Sequence, residues 1–229
     1  MKYDAIFFDV GNTLFFYNCE FLKEFVEDRF GCDLIAKELE KTYYMLRKDV
    51  LAGAFSKLDH DGLWREFYRR WLQMNDVDEE IIPNIIDAIR DHPFNHMFWS
   101  KMEEGTREMI DWFRERGLKT GIISNADGQI QRLVDHVDLS DRFDVVIDSG
   151  LLGFEKPDER IFKHATSSID VDPKRSIHVG DLFDVDVVGA RGVGMIPVLI
   201  DPDGRGGDNE LITIARAVDL PTHPFFSGL

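Results

Sequence analysis

From Glu103 onward the chain alternates short apolar runs with amphipathic segments, and this alternation constrains the fold more than any other feature. The pattern predicts helices over 103–116, 130–136, 159–167 and 186–191. Between them it predicts strands over 120–124, 145–148, 176–179 and 195–200. Strands separated by helices pair in parallel, with right-handed crossovers and helices on both faces of the sheet. Residues 5–8 form a further apolar run, ended by Asp9 and a Gly11-Asn12 turn, and they need that sheet as a partner. The expected fold class is therefore α/β, with a Rossmann-like parallel sheet as its core. The Gly- and Asp-rich stretch 201–209 reads as a surface turn.

Between about Glu20 and Arg90 no strand signal occurs. Phe21, Phe25 and Phe30 fall on or near one face of a first helix, and Leu39, Tyr43, Leu46 and Val50 on a second. Leu63, Phe67, Trp71 and Met74 mark a third. Ile81, Ile82, Ile85, Ile86 and Ile89 mark a fourth. This is the pattern of a compact helical insert placed directly after Asp9. The expected organisation is a core of residues 1–15 and 98–229 with a helical insert at 16–97. Hinges are expected near 15–18 and 92–100.

The formal net charge is −16 over 229 residues, so the basic footprint of a general nucleic-acid binder is missing. An anionic substrate then needs a local positive device: a cation, a lysine or a helix N-terminus. No apolar run approaches the ~20 residues that cross a bilayer. The opening residues lack a signal-peptide pattern. Cys19 and Cys32 have no metal-ligand spacing and read as reduced thiols. A cytoplasmic protein, monomeric or homodimeric, is expected.

Open parallel sheets bind ligands at the carboxyl ends of their strands. The first strand here ends in Asp9 and the second in Ser124-Asn125. The third is followed by Glu155-Lys156-Pro157-Asp158, and the fourth by Gly180-Asp181 with Asp184 and Asp186. Taken singly, each residue has an ordinary explanation: Asp9 as a turn cap, Ser124 as a helix cap, Lys156 as a solvated lysine. Together they set carboxylates, a hydroxyl, an amide and an ammonium along one edge.

These segments resemble the motifs of the haloacid dehalogenase-like hydrolases. Asp9-Val10-Gly11-Asn12-Thr13-Leu14 is similar to the first motif, Ser124-Asn125 to the second and Lys156 to the third. Gly180-Asp181, Asp186 and Gly189-Ala190-Arg191 are similar to the fourth. The insert resembles that family's four-helix cap. The resemblance implies that Asp9 is a nucleophile forming a covalent intermediate, with Lys156 neutralising charge beside it. It implies that Ser124 and Asn125 bind a small phosphorylated substrate, and that Asp9, Asp181 and Asp186 hold Mg²⁺. Thr13 would support the nucleophile loop. Asp184 would be exposed or support the ligands from behind. His60 would belong to an interhelical turn or reach substrate from the cap.

One position departs from the pattern. Most phosphatases of this family carry an aspartate two residues after the nucleophile, which protonates the leaving group and then activates water. Here that position is Gly11, and Asn12 cannot titrate. General acid–base catalysis contributes ~10²–10⁴-fold. Three readings stand: a Mg²⁺-dependent phosphatase weakened by Gly11, a catalytically impaired binding or regulatory module, and a 2-haloacid dehalogenase. The last needs an arginine for a substrate carboxylate, with Arg47 as a candidate.

Overall fold

In the computed structural model, residues 2–54, 58, 60–204 and 210–229 are described. The chain forms two compact units: Met1–Phe16 with Ser100–Leu229, and Tyr17–Trp99.

The first unit is built on β1 (Ala5–Phe8), β2 (Lys119–Ser124), β3 (Val145–Asp148), β4 (Ser176–Gly180), β5 (Ile196–Ile200) and β6 (Ile212–Ile214). They make one parallel sheet in the order β3-β2-β1-β4-β5-β6. β1 and β4 are buried along their whole length, as central parallel strands covered on both faces must be. Side chains alternate between faces. Phe7 joins Ile123, Ile161 and Phe162 beneath α7 (Glu159–Ser168), whereas Phe8 meets Phe113 of α5 (Thr106–Glu115). Phe113 in turn packs edge-on to Phe226. Gly121 is the partner of Phe7 across the β1–β2 ladder. A Cβ there would lie 2.7 Å from the Phe7 ring, so the glycine makes room for it.

The predicted strands and helices of this unit all form, with shifted ends. α5 starts at Thr106, after Gly105 in a left-handed conformation, rather than at Glu103. α6 (Ile130–His136) has the expected limits. The helix expected over 186–191 begins earlier, as a π-helical turn over Phe183–Val187 that leads into α8 (Val188–Gly192). β6 was not anticipated, because three residues of Ile-Thr-Ile are too short to carry a period. The expected surface turn at 201–209 lies outside the described residues over 205–209.

The second unit contains α1 (Cys19–Phe30), α2 (Ala36–Leu51), α3 (His60–Gln73) and α4 (Ile82–Arg90). Asn18 caps α1 by accepting from the Phe21 amide, and Gly31 closes it at φ 70°. Trp71 is fully buried, and its indole N–H donates to the Leu39 carbonyl and the Thr42 hydroxyl. The face of α1 that is buried outright is Cys19, Leu22 and Val26. The Phe21 and Phe25 rings instead pack on Phe98. Met74, expected on the apolar stripe of α3, lies one residue past its end and is exposed. No helix among the described residues is long and apolar enough to cross a membrane.

Candidate active site

The strand order reverses direction of growth at β1 and β4, which lie side by side in the middle of the sheet. Phe8 is in register with both Ile122 and Val179, so β4 ends one residue and β2 two residues beyond β1 at the same edge. Asp9 leaves β1 at that edge, where its amide donates to the Val179 carbonyl at 2.8 Å. Ser124 and Gly180-Asp181 leave β2 and β4 at the same edge, and Ser124 is buried.

Lys156 arrives from the loop between β3 and α7. Its side chain is 2% exposed, and its ammonium donates to Asp9 Oδ1 at 2.6 Å and to Asp186 Oδ1 at 2.7 Å. Asn125 holds its backbone: the Lys156 amide donates to Asn125 Oδ1 at 2.7 Å, and Asn125 Nδ2 donates to the Lys156 carbonyl at 2.9 Å. The expected substrate-binding amide is thus occupied in aiming Lys156. Asp148, at the end of β3, accepts from the Gly128, Gly150 and Ile130 amides and shapes the loop that follows Asn125.

Asp186 is brought back toward β4 by the π-helical turn. Its Oδ2 accepts from the Leu182 amide at 3.0 Å, and its Oδ1 meets His178 Nε2 at 2.9 Å as well as Lys156. Gly180 makes this possible, because a Cβ there would stand 2.2 Å from Asp186 Cγ. Oxygens of Asp9, Asp181 and Asp186 lie within 4.8 Å of one another, and all three residues are buried. Asp184 is exposed. Thr13, in the segment that follows Asp9, is buried, and its hydroxyl has no hydrogen-bond partner among the described residues. Arg47 lies on α2, in the helical unit. His60 opens α3, but its side chain lies outside the described residues.

Three carboxylates here face one ammonium. Burial pushes the Asp9 carboxyl up to about 7, with Asp186 and Asp181 adding to the rise and Lys156 opposing it. Burial acts on Asp186 in the same sense but is overcome by Lys156 and His178, which hold it well below the usual carboxylate range. Burial would depress Lys156, yet Asp186 and Asp9 outweigh it and keep the ammonium charged. Burial also lowers His178, so its imidazole is neutral at neutral pH. Opposite an ionised carboxylate, Nε2 carries the proton. A small hard cation fits this donor set: the ligands are oxygens, close together, and carry uncompensated negative charge.

Asp9, Lys156, Ser124, Asp181 and Asp186 were visible in the sequence because each sits at or beyond a strand end. His178 was not, because it lies inside β4, where one polar residue reads as part of the core. Its position two residues before Gly180 is the signal that was available.

A family model described as haloacid dehalogenase-like hydrolase matches residues 3–194. Haloacid dehalogenase-like hydrolase domain-containing protein 3 of Bos taurus is 38% identical over 97 residues, covering 42% of this chain and 39% of that protein. Glyceraldehyde 3-phosphate phosphatase of Methanothermobacter thermautotrophicus is 35% identical over 100 residues, covering 43% of each. The matched stretch thus spans less than half the length of either relative. Among solved structures, the HAD-hydrolase YfnB of Bacillus subtilis, bound to magnesium, superposes with a TM-score of 0.72. The identity is 17%, over 99% of this chain and 100% of that one. With the family model covering most of its length and the family's motifs meeting at one sheet edge, this chain belongs to the haloacid dehalogenase-like hydrolases.

Proposed function

We propose that this protein is a phosphomonoesterase that works through an aspartyl-phosphate on Asp9, with a small phosphorylated metabolite as substrate. The observation that carries the reading is the 2.6 Å contact of Lys156 with Asp9, beside Asp181 and Asp186. It supports the reading because it sets a buried carboxylate against an ammonium beside two further acidic side chains. The phosphatase named among the relatives supports the same class of chemistry.

In the first step an Asp9 carboxylate oxygen attacks phosphorus. The new O–P bond forms as the bond to the leaving oxygen breaks, and that oxygen departs with the electron pair. Lys156 neutralises charge on Asp9 and the transferred group, and the Ser124 hydroxyl donates to a phosphoryl oxygen. Asn125 keeps Lys156 in place. In the second step the oxygen of a water molecule bonds to the phosphorus of the aspartyl-phosphate as the Asp9 O–P bond breaks, the protons of the water leave on the inorganic phosphate or to solvent, and Asp9 is restored as a carboxylate. Asp9, Asp181 and Asp186 would hold Mg²⁺, which would supply positive charge that lets one anion approach another.

Gly11 offers no proton to the departing oxygen, so aryl phosphates turn over well and alkyl phosphates slowly. Release of p-nitrophenol from p-nitrophenyl phosphate, dependent on Mg²⁺ and lost in Asp9→Asn, is the expected result. Equal release by wild type and Asp9→Asn would overturn the reading. Gly11→Asp should accelerate alkyl phosphates by ~10²-fold while changing the aryl ester far less, as the missing proton predicts.

The same Gly11 favours a second reading, a binding module with little turnover. Absence of hydrolysis, combined with a melting temperature raised by Mg²⁺ or by a phosphorylated metabolite, would establish it. Halide release from 2-chloropropionate that survives a chelator would instead point to a dehalogenase.

A further inference from the structure

The chemistry just described leaves His178 without a task. A buried imidazole in the middle of a parallel strand is costly. Its neighbours in sequence are Ile177 and Val179, its ring packs on Phe162 at a centroid distance of 5.1 Å, and it is 1% exposed. Its Nδ1 has no hydrogen-bond partner among the described residues. An apolar side chain would fill this place without stranding a nitrogen.

An apolar side chain could not, however, donate to Asp186 Oδ1, which Nε2 does at 2.9 Å. That oxygen also accepts from Lys156, whose ammonium reaches on to Asp9. The two donors divide the charge of one oxygen. Phe162 fixes the imidazole from its other side, and the Leu182 amide fixes the second oxygen of Asp186. Asp186 is therefore held from three directions, and Lys156 is not drawn wholly onto it.

We propose that His178 is a positioning residue: its Nε2–H, acting through Asp186, keeps the Lys156 ammonium bridged to Asp9. The turnover arm of the test rests on the phosphatase reading, whereas the arm that observes Lys156 directly does not.

Two polar replacements separate donor reach from polarity. In His178→Gln the amide nitrogen stands as many bonds from Cα as Nε2 does, so the donor is kept. In His178→Asn it is one bond short, and the donor is withdrawn. With ¹⁵N-lysine labelling, the wild-type Lys156 ammonium should give a slowly exchanging signal, assigned by its loss in Lys156→Arg. His178→Gln should retain that signal, and His178→Asn should shift or lose it. For p-nitrophenyl phosphate, His178→Asn should lower kcat by about 10-fold with KM little changed, and His178→Gln should recover most of the loss. Mg²⁺ affinity, read by calorimetry, should stay within about threefold in both variants, under half the factor of ten that 1.4 kcal/mol represents on a logarithmic scale.

An ammonium signal identical in wild type and His178→Asn overturns the proposal, as does a Lys156 ammonium that exchanges freely in the wild type. A loss of Mg²⁺ affinity matching the loss of kcat also overturns it, because the residue would then act on the cation site. If the wild type hydrolyses no phosphoester, the phosphatase reading fails while the ammonium signals still decide the role of His178.

Discussion

Lys156 illustrates how one residue can owe its place to another far away in sequence. Asn125, 31 residues earlier, grips both polar atoms of its backbone, so the direction of the side chain is set before any charge is met. Asn125→Ala should remove two hydrogen bonds from a part-buried site. We expect a loss of ~1–2 kcal/mol in urea unfolding and a fall in kcat of about 10-fold, the latter from a Lys156 that no longer meets Asp9 well. Asp9 gives a second expectation. Its carboxyl titrates near 3.8 when unfolded and at about 7 in the folded, metal-free protein, chiefly through burial. Between those values the folded chain keeps a proton that the unfolded chain has released, so this group's contribution falls as pH rises and is flat above about 7. Asn cannot titrate. In chelator, Asp9→Asn should therefore gain on wild type as pH rises from about 5 to about 8, by ~2 kcal/mol, as urea unfolding at the two pH values would show. The sequence made Asp9, Lys156 and the fourth-motif acids legible because strand ends are where an α/β sheet exposes chemistry. The grip of Asn125 and the contact of His178 were hidden, since both depend on which loops meet and not on local pattern.

The π-helical turn at Phe183–Val187 does for Asp186 what the clamp does for Lys156. An ordinary helical start after β4 was the natural expectation from Asp186 onward. The wider turn returns the Asp186 carboxylate to the Leu182 amide and sets it against Gly180. Gly180→Ala places a methyl 2.2 Å from Asp186 Cγ. Strand propensity alone would count this exchange as harmless. The contact predicts instead a destabilisation of ~1–3 kcal/mol and a loss of most activity, measured by thermal unfolding and by turnover of an aryl phosphate. Elements with four or more residues in a clear period were readable, and their ends slipped by one to three residues where capping decides. β6 escaped because three residues cannot display a period, and the start of the π-helical turn escaped because widening leaves no compositional mark.

At the scale of the whole molecule, charge is the governing quantity. A formal charge of −16 would repel the phosphorylated substrate proposed above before it arrives, and the Lys156 ammonium acts only at close range. Association should thus be helped by screening. We expect kcat/KM for an anionic phosphoester to rise about twofold between ~0.01 M and ~0.15 M monovalent salt at fixed Mg²⁺, the reverse of an electrostatically steered enzyme. A fall over that range, in initial-rate measurements, would mean that a local positive field dominates the approach. The division into an α/β unit and a helical unit shows how pattern scales up: a stretch without strand signal, set between strands that need each other, has to be a body of its own.

The partners of the Lys156 bridge also carry information about time. Asp9 and Lys156 are 147 residues apart, and Asp186 comes 30 residues later still. On a chain made from its N-terminus, the residue proposed to attack is synthesised first and the groups that arm it come last. A ribosome-bound or partly unfolded chain therefore carries a solitary carboxylate with no ammonium beside it and no cation site around it. On the proposed function, reactivity is withheld until β1 to β4, four of the six strands, have come together, so the fold acts as its own safety catch.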